Sequence, residues 1–176
     1  MSFYIRNIKR TKTFNTLIKR TTQLDYYTNH RADPDIIKFV EMNNKTFGES
    51  MQKLMCEILK LDPPINTSHD ARIIKKGLKF EIKSSRYWMK KEDFVWQHIM
   101  ENHNYDYLIL LGLDFHEISV YMITKEKMIN LKNEGIIKMQ GGAEGQGLWF
   151  SRNSVKQYLN QISNIHQFNE YINNEI

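Results

Sequence analysis

Cysteine is nearly missing from this chain: Cys56 is the single one among 176 residues. That excludes an internal disulfide and a structural zinc site of the usual thiolate kind. Its neighbours Leu54, Met55, Ile58 and Leu59 mark it as a small buried hydrophobe. Proline is scarce too, and two of the three prolines sit together in Asp62-Pro63-Pro64, a stop signal for the helix before it. No apolar run approaches the roughly 18 residues that a membrane span requires. The leading residues MSFYIRNIKR lack the apolar stretch of a signal sequence, so an intracellular, cytoplasmic protein is expected. No internal repeat is present, and His69, His98, His103, His116 and His166 do not fall at metal-ligand spacing.

What is present fits one globular domain over 1–176, with 41% hydrophobic residues and a net charge of +5. A mild excess of cations suits a phosphate-bearing partner. Its distribution is more telling, because Arg6, Lys9, Arg10, Lys12, Lys19 and Arg20 load the first twenty residues with no acid among them. A basic arm over about 1–22 is therefore expected, either a solvated face or a nucleic-acid contact with Lys9 and Arg10 at its centre.

Helical spacing is strongest from Thr46 to Leu61, where Phe47, Met51, Leu54, Met55 and Ile58 form one stripe. Thr46 followed by Glu49 reads as a capping box. A shorter helix is expected over Asp35 to Asn43 with Pro34 in its first turn, another from Asp93 to about Glu101, and a third over Lys125 to Leu131. Gln23 to Arg31 shows no clear period. Tyr105 to Leu113 is the most apolar stretch and reads as a central strand buried on both faces, with Ile118 to Thr124 as its neighbour. Ser154 to Ile176 reads as a helical extension in one or two pieces, suited to a protein interface.

Between the long helix and the central strand lies SHDARIIKKGLKFEIKSS, residues 68–85, with the grammar of a β-hairpin. Lys76-Gly77 as a two-residue turn would set Arg72 opposite Glu81 and Asp70 opposite Lys83. Asp70, Arg72, Ile74, Lys79, Glu81 and Lys83 then share one face, and Ala71, Ile73, Phe80 and Ile82 the core face. Asp70 and Glu81 become diagonal neighbours about 7–8 Å apart at Cβ, a span that one divalent cation can bridge, with Lys83 beside both. Two oxygen ligands and an ammonium are a sufficient kit for phosphodiester hydrolysis. The competing interpretation makes Lys79, Glu81 and Lys83 the solvated face of an amphipathic strand.

On these residues the chain resembles the PD-(D/E)XK nuclease superfamily, and HDARIIKKGLKFEIKSSRYW is most similar to a type II restriction endonuclease. The resemblance covers roughly 47–124. It implies a restriction-endonuclease-like α/β fold: a central mixed β-sheet of about five strands flanked by helices, with the catalytic hairpin at 70–84. It also implies a Mg²⁺ site on Asp70, Glu81, the main chain of Ile82 and Glu49, with Lys83 as the motif lysine and Gln97 as a polar partner from the following helix. The chain departs from the pattern in that Asp70 follows His69 instead of proline. Pro34-Asp35 lies too far upstream to replace it.

Residues beside the hairpin then acquire expected DNA contacts: Ser84, Ser85, Arg86 and Lys90 toward the backbone of the cut strand. Five of the eight glycines fall between Gly135 and Arg152, in a loop expected to join strands at 136–139 and 148–150. Gln140, Gln146 and Arg152 there carry groups that pair with adenine and guanine edges, so this loop is the expected base reader. The function implied is Mg²⁺-dependent cleavage of double-stranded DNA at a short specific site by a homodimer, as in restriction-modification, with no small-molecule cofactor beyond the metal. Its rivals are a structure-directed or repair nuclease of the same fold, such as a junction resolvase, and a non-catalytic DNA-binding subunit.

Overall fold

The computed structural model describes residues 21–142 and 147–174. Lys9, Arg10 and the rest of the basic arm lie outside the described residues, as does Gln146.

Three helices come first: α1 (Gln23–Asn29), α2 (Pro34–Glu41) and α3 (Asn44–Leu59). α1, unmarked by apolar period, is set by a capping box in which Thr22 and Asp25 satisfy each other's main chain. α2 has Pro34 in its first turn as expected, and Asp33 is its cap. α3 carries Phe47, Met51 and Met55 of the expected stripe inward, but Leu59 continues it in place of Ile58, which is 52% exposed. Its cap, however, is Asn43, whose side chain accepts from Thr46 N, so Thr46 lies inside the helix and forms no capping box with Glu49.

The hairpin follows as β1 (Ala71–Ile73) and β2 (Leu78–Arg86), then β3 (Val95–Ile99), β4 (Tyr107–Leu113) and β5 (Ile118–Thr124). The expected helix over 93–101 is in fact β3. Val95, Trp96 and Ile99 are buried there, and a positive φ at His98 makes a bulge that helical backbone would not accept. After α4 (Lys125–Asn133) come β6 (Lys138–Met139), β7 (Leu148–Ser151), the short α5 (Arg152–Val155), β8 (Asn160–Gln161) and α6 (Ile165–Asn174). The carboxy-terminal part is thus no helical extension alone. It contributes an edge strand, and Phe168 and Ile172 of α6 are fully buried in the core.

Two sheets result: a mixed five-stranded sheet in the order β1-β2-β4-β5-β8, and a three-stranded sheet in the order β3-β7-β6. β4 lies parallel to β2 and antiparallel to β5, and all seven of its residues are buried. Its alternation explains the layers. Tyr107, Ile109, Leu111 and Leu113 meet α1, α2, α3 and α6 on one face, while Leu108 and Leu110 meet the second sheet and α4 on the other. Burying each such side chain contributes about 1.5–3 kcal/mol, which makes β4 the axis of the fold. Gly112 has a reason of its own: a Cβ there would sit 2.5 Å from the Phe94 ring. Among the described residues no helix is long and apolar enough to cross a membrane.

Candidate functional site

The hairpin turn is longer than the sequence suggests. Ile74–Lys76 form a 3-10 turn closed by Gly77 at φ 68°, so Ile73 pairs with Leu78 and Ala71 with Phe80. The register moves by two residues from the expected one, and a shift of two keeps every side chain on its own face. Asp70 therefore stands opposite Glu81 and not opposite Lys83. Two contacts bracket the pair: Asp70 N donates to Phe80 O at 2.8 Å, and Ile82 N donates to Asp70 Oδ2 at 2.8 Å.

Glu81 is 2% exposed, which rules out the solvated-face reading for this residue. An ionised carboxylate so deep needs partners. Oε1 lies 2.8 Å from Lys83 Nζ, and Oε2 lies 3.7 Å from His103 Nδ1. Asp70 is half-buried beside it. Burial, and then the negative charge of Glu81, push the Asp70 carboxyl above the usual carboxylate range, while the Ile82 N–H, Lys83 and His103 pull the other way. A cation beside Asp70 would relieve this cost of ionising it.

Because β1 pairs with β2 no further than Ala71 with Phe80, β2 has a strand partner on one edge only from Glu81 onward. A cleft of about 620 Å³ opens there, walled by Asn44, Phe47, Gly48 and Gln52 of α3 on one side and Val95, Gln97 and His98 of β3 on the other. Asp70, Lys83, Ser84 and Trp88 also face it. Trp88 is 42% exposed and so is no core cover. The Gln52 amide donates to Asp70 O at 3.2 Å and so ties the helix wall to the acidic pair.

The other expected residues divide clearly. Gln97 does face the cleft, though from a strand. Glu49 is exposed on α3 and lies 4.0 Å from Lys45, while Gly48 and Gln52 occupy the cleft-facing positions. Ser85 is buried as a joint between the sheets, donating to Arg86 O at 2.9 Å and accepting from Val95 N at 3.0 Å. Arg86 is engaged internally. Its guanidinium donates to Phe39 O, Met42 O and Asn44 Oδ1 and lies 4.1 Å above the Phe47 ring. Lys90 is exposed in the turn closed by the Trp88–Asp93 bridge.

The glycine-rich loop joins β6 to β7 as an antiparallel pair, and Gln140 N donates to Gly147 O at 2.9 Å. Gly147, at φ 80°, sits where a Cβ would come within 2.9 Å of Ile99 backbone, so tight packing on β3 explains this glycine. Arg152 is committed to the fold: Nε lies 3.2 Å from the buried Asp93, and the guanidinium lies 5.2 Å from the Phe94 ring.

His103, the partner of Glu81, was not legible in the sequence, since it reaches the hairpin from the β3–β4 connection without any motif spacing. His69 is not bound to Asp70. Its buried ring accepts from Ile65 N at 3.3 Å, and burial lowers its pKa.

No family model matches the chain, and no curated protein is similar enough to it to be matched. Among the described residues no three His, Cys, Asp or Glu side chains converge as a ready-made metal site. Asp70 and Glu81 offer hard carboxylate oxygens, the kind of donor that a magnesium ion retaining several waters would take.

Proposed function

We propose that the protein is a Mg²⁺-dependent endodeoxyribonuclease that hydrolyses double-stranded DNA at a short specific site, in the manner of a type II restriction endonuclease. The observation that carries this reading is the buried Glu81 facing Asp70 across the hairpin, with Lys83 2.8 Å from Glu81 and turned into a cleft. An amphipathic strand has no structural need for an acid at that depth, and the resemblance assigns these same three residues to metal and catalysis.

Asp70, Glu81 and the main chain of Ile82 would hold the ion. When bound, it polarises the scissile phosphoryl oxygen and lowers the pKa of a bound water. The Lys83 ammonium offsets negative charge that develops on the phosphate. Ser84 and Gln97 supply neutral hydrogen-bonding groups along the path of the strand. Cutting two antiparallel strands calls for two such sites, hence a homodimer with a two-fold axis.

The test is incubation of plasmid DNA with the full chain and Mg²⁺. Discrete bands support the proposal. Smears, or preferential cutting of branched DNA, assign a repair or junction nuclease; binding without any cutting assigns a DNA-binding subunit.

A further inference from the structure

Glu81 has two oxygens and the motif accounts for only one of them. Lys83 holds Oε1 at 2.8 Å. Oε2 faces His103 Nδ1 at 3.7 Å, and this nitrogen is buried with no hydrogen-bond partner among the described residues. An unpartnered buried donor or acceptor costs roughly 1–3 kcal/mol, so its persistence beside an acid calls for a reason.

The rest of the connection holds the imidazole in place. His103 N donates to Met100 O at 3.3 Å, and His103 O accepts from Lys125 Nζ at 2.6 Å. That ammonium lies 4.8 Å from the centre of the Tyr105 ring, and Tyr105 is itself buried with its hydroxyl 3.7 Å from Met128 Sδ. Glu101, the acid nearest in sequence, is paired with Lys132 at 2.7 Å and does not compete. The ring is therefore presented to Glu81 by a connection braced against the first turn of α4.

We propose that His103 is a positioning residue for Glu81, which holds Oε2 as Lys83 holds Oε1 and so fixes the plane of the carboxylate toward Asp70. This rests on the nuclease reading above. A carboxylate held at one oxygen turns about its last bond, whereas one held at both presents a constant face. Partners that orient a metal-binding carboxylate in this way change metal affinity by about 10–100-fold when removed. At 3.7 Å the contact is longer than a hydrogen bond, as site contacts in a ligand-free protein often are.

The experiment titrates Mg²⁺ into the full chain without DNA and reads binding by calorimetry and by the shift in Tm, for wild type, His103→Ala and His103→Asn. The Asn amide places a donor near the position of Nδ1. The expected result is a Mg²⁺ Kd raised about 10–100-fold in His103→Ala and largely restored in His103→Asn, with metal-free Tm and metal-free DNA affinity near wild type in both. Unchanged Mg²⁺ affinity in His103→Ala overturns the assignment, as does a loss that Asn fails to restore. A collapse of metal-free Tm in both variants also overturns it and makes His103 structural. If wild type itself binds no Mg²⁺, the nuclease reading fails first; if wild type binds and His103→Ala binds equally, only the positioning role fails.

Discussion

The carboxylate of Asp70 takes the hydrogen bond from Ile82 N–H, 2.8 Å away, that one more residue of β1 would otherwise have received. The strand stops, and an acid replaces it at the head of the cleft. This substitution of side chain for backbone places Asp70 opposite Glu81 without a loop to position it. Asp70→Ala and Glu81→Ala are expected to keep specific DNA binding in Ca²⁺ and to lose cleavage in Mg²⁺. Residual cutting above about a hundredth of wild type, a loss under roughly 3 kcal/mol, would remove either residue from the catalytic set.

Metal-free protein should record the cost of ionising Asp70, set first by burial and then by the charge of Glu81, as a pH effect. The folded Asp70 pKa lies above its unfolded value, so the stabilising proton is fully bound in the folded protein below the ordinary aspartate pKa of about 3.9 and is lost as pH rises through the raised value. At neutral pH the ionised Asp70 therefore weakens the fold. In EDTA at pH 7, Asp70→Asn should therefore raise Tm. The gain should shrink toward pH 4, and a lowered Tm at pH 7 would contradict it.

The proposal gives Lys83 a role in the reaction besides the one in the fold that its ion pair with Glu81 shows. Breaking a fully buried ion pair costs about 3–5 kcal/mol, and Lys83 is a quarter exposed, so Lys83→Ala should destabilise by about 1–3 kcal/mol. Adding Glu81→Gln to that variant removes the uncompensated charge and should recover most of the loss in urea denaturation. The rate of cleavage at saturating Mg²⁺ should fall on the order of 10²–10⁴ in Lys83→Ala. Cleavage near the wild-type rate would leave only the structural role.

Arg86 gives the opposite expectation from its place in the sequence. With its guanidinium on Phe39 O, Met42 O, Asn44 Oδ1 and the Phe47 ring, Arg86→Lys is not conservative. It should cost about 1–3 kcal/mol of stability while leaving the salt dependence of DNA binding unchanged. A flatter salt dependence in Arg86→Gln, which removes the charge, would restore it as a phosphate contact.

Sequence reasoning reached the elements whose signal is local. The stripe of α3, the unbroken apolarity of β4, the strand pair around the glycine loop and the face shared by Asp70, Glu81 and Lys83 all follow from spacing along one segment. The hairpin register was misjudged because Ile74, apolar and β-branched, reads as strand, yet it is exposed in a 3-10 turn. The 93–101 segment was misjudged because its burial comes from pairing with β7, a distant strand that carries no mark in the segment itself. Arg86 and Arg152 look like free cations in a sequence because the carbonyls, rings and acid that hold them are supplied by other elements. His103 belongs to the same class: only the tertiary arrangement puts it beside Glu81.

The division of the site between two sheets sets an order of assembly. The hairpin that bears Asp70 and Glu81 closes over few residues and forms early, whereas the β3 wall needs Val95 to find Ser151 and Ile99 to find Leu148. A chain emerging from the ribosome therefore carries its acidic pair long before it has a cleft. The β3 wall beside the pair is completed only once residues 148–151 have been made.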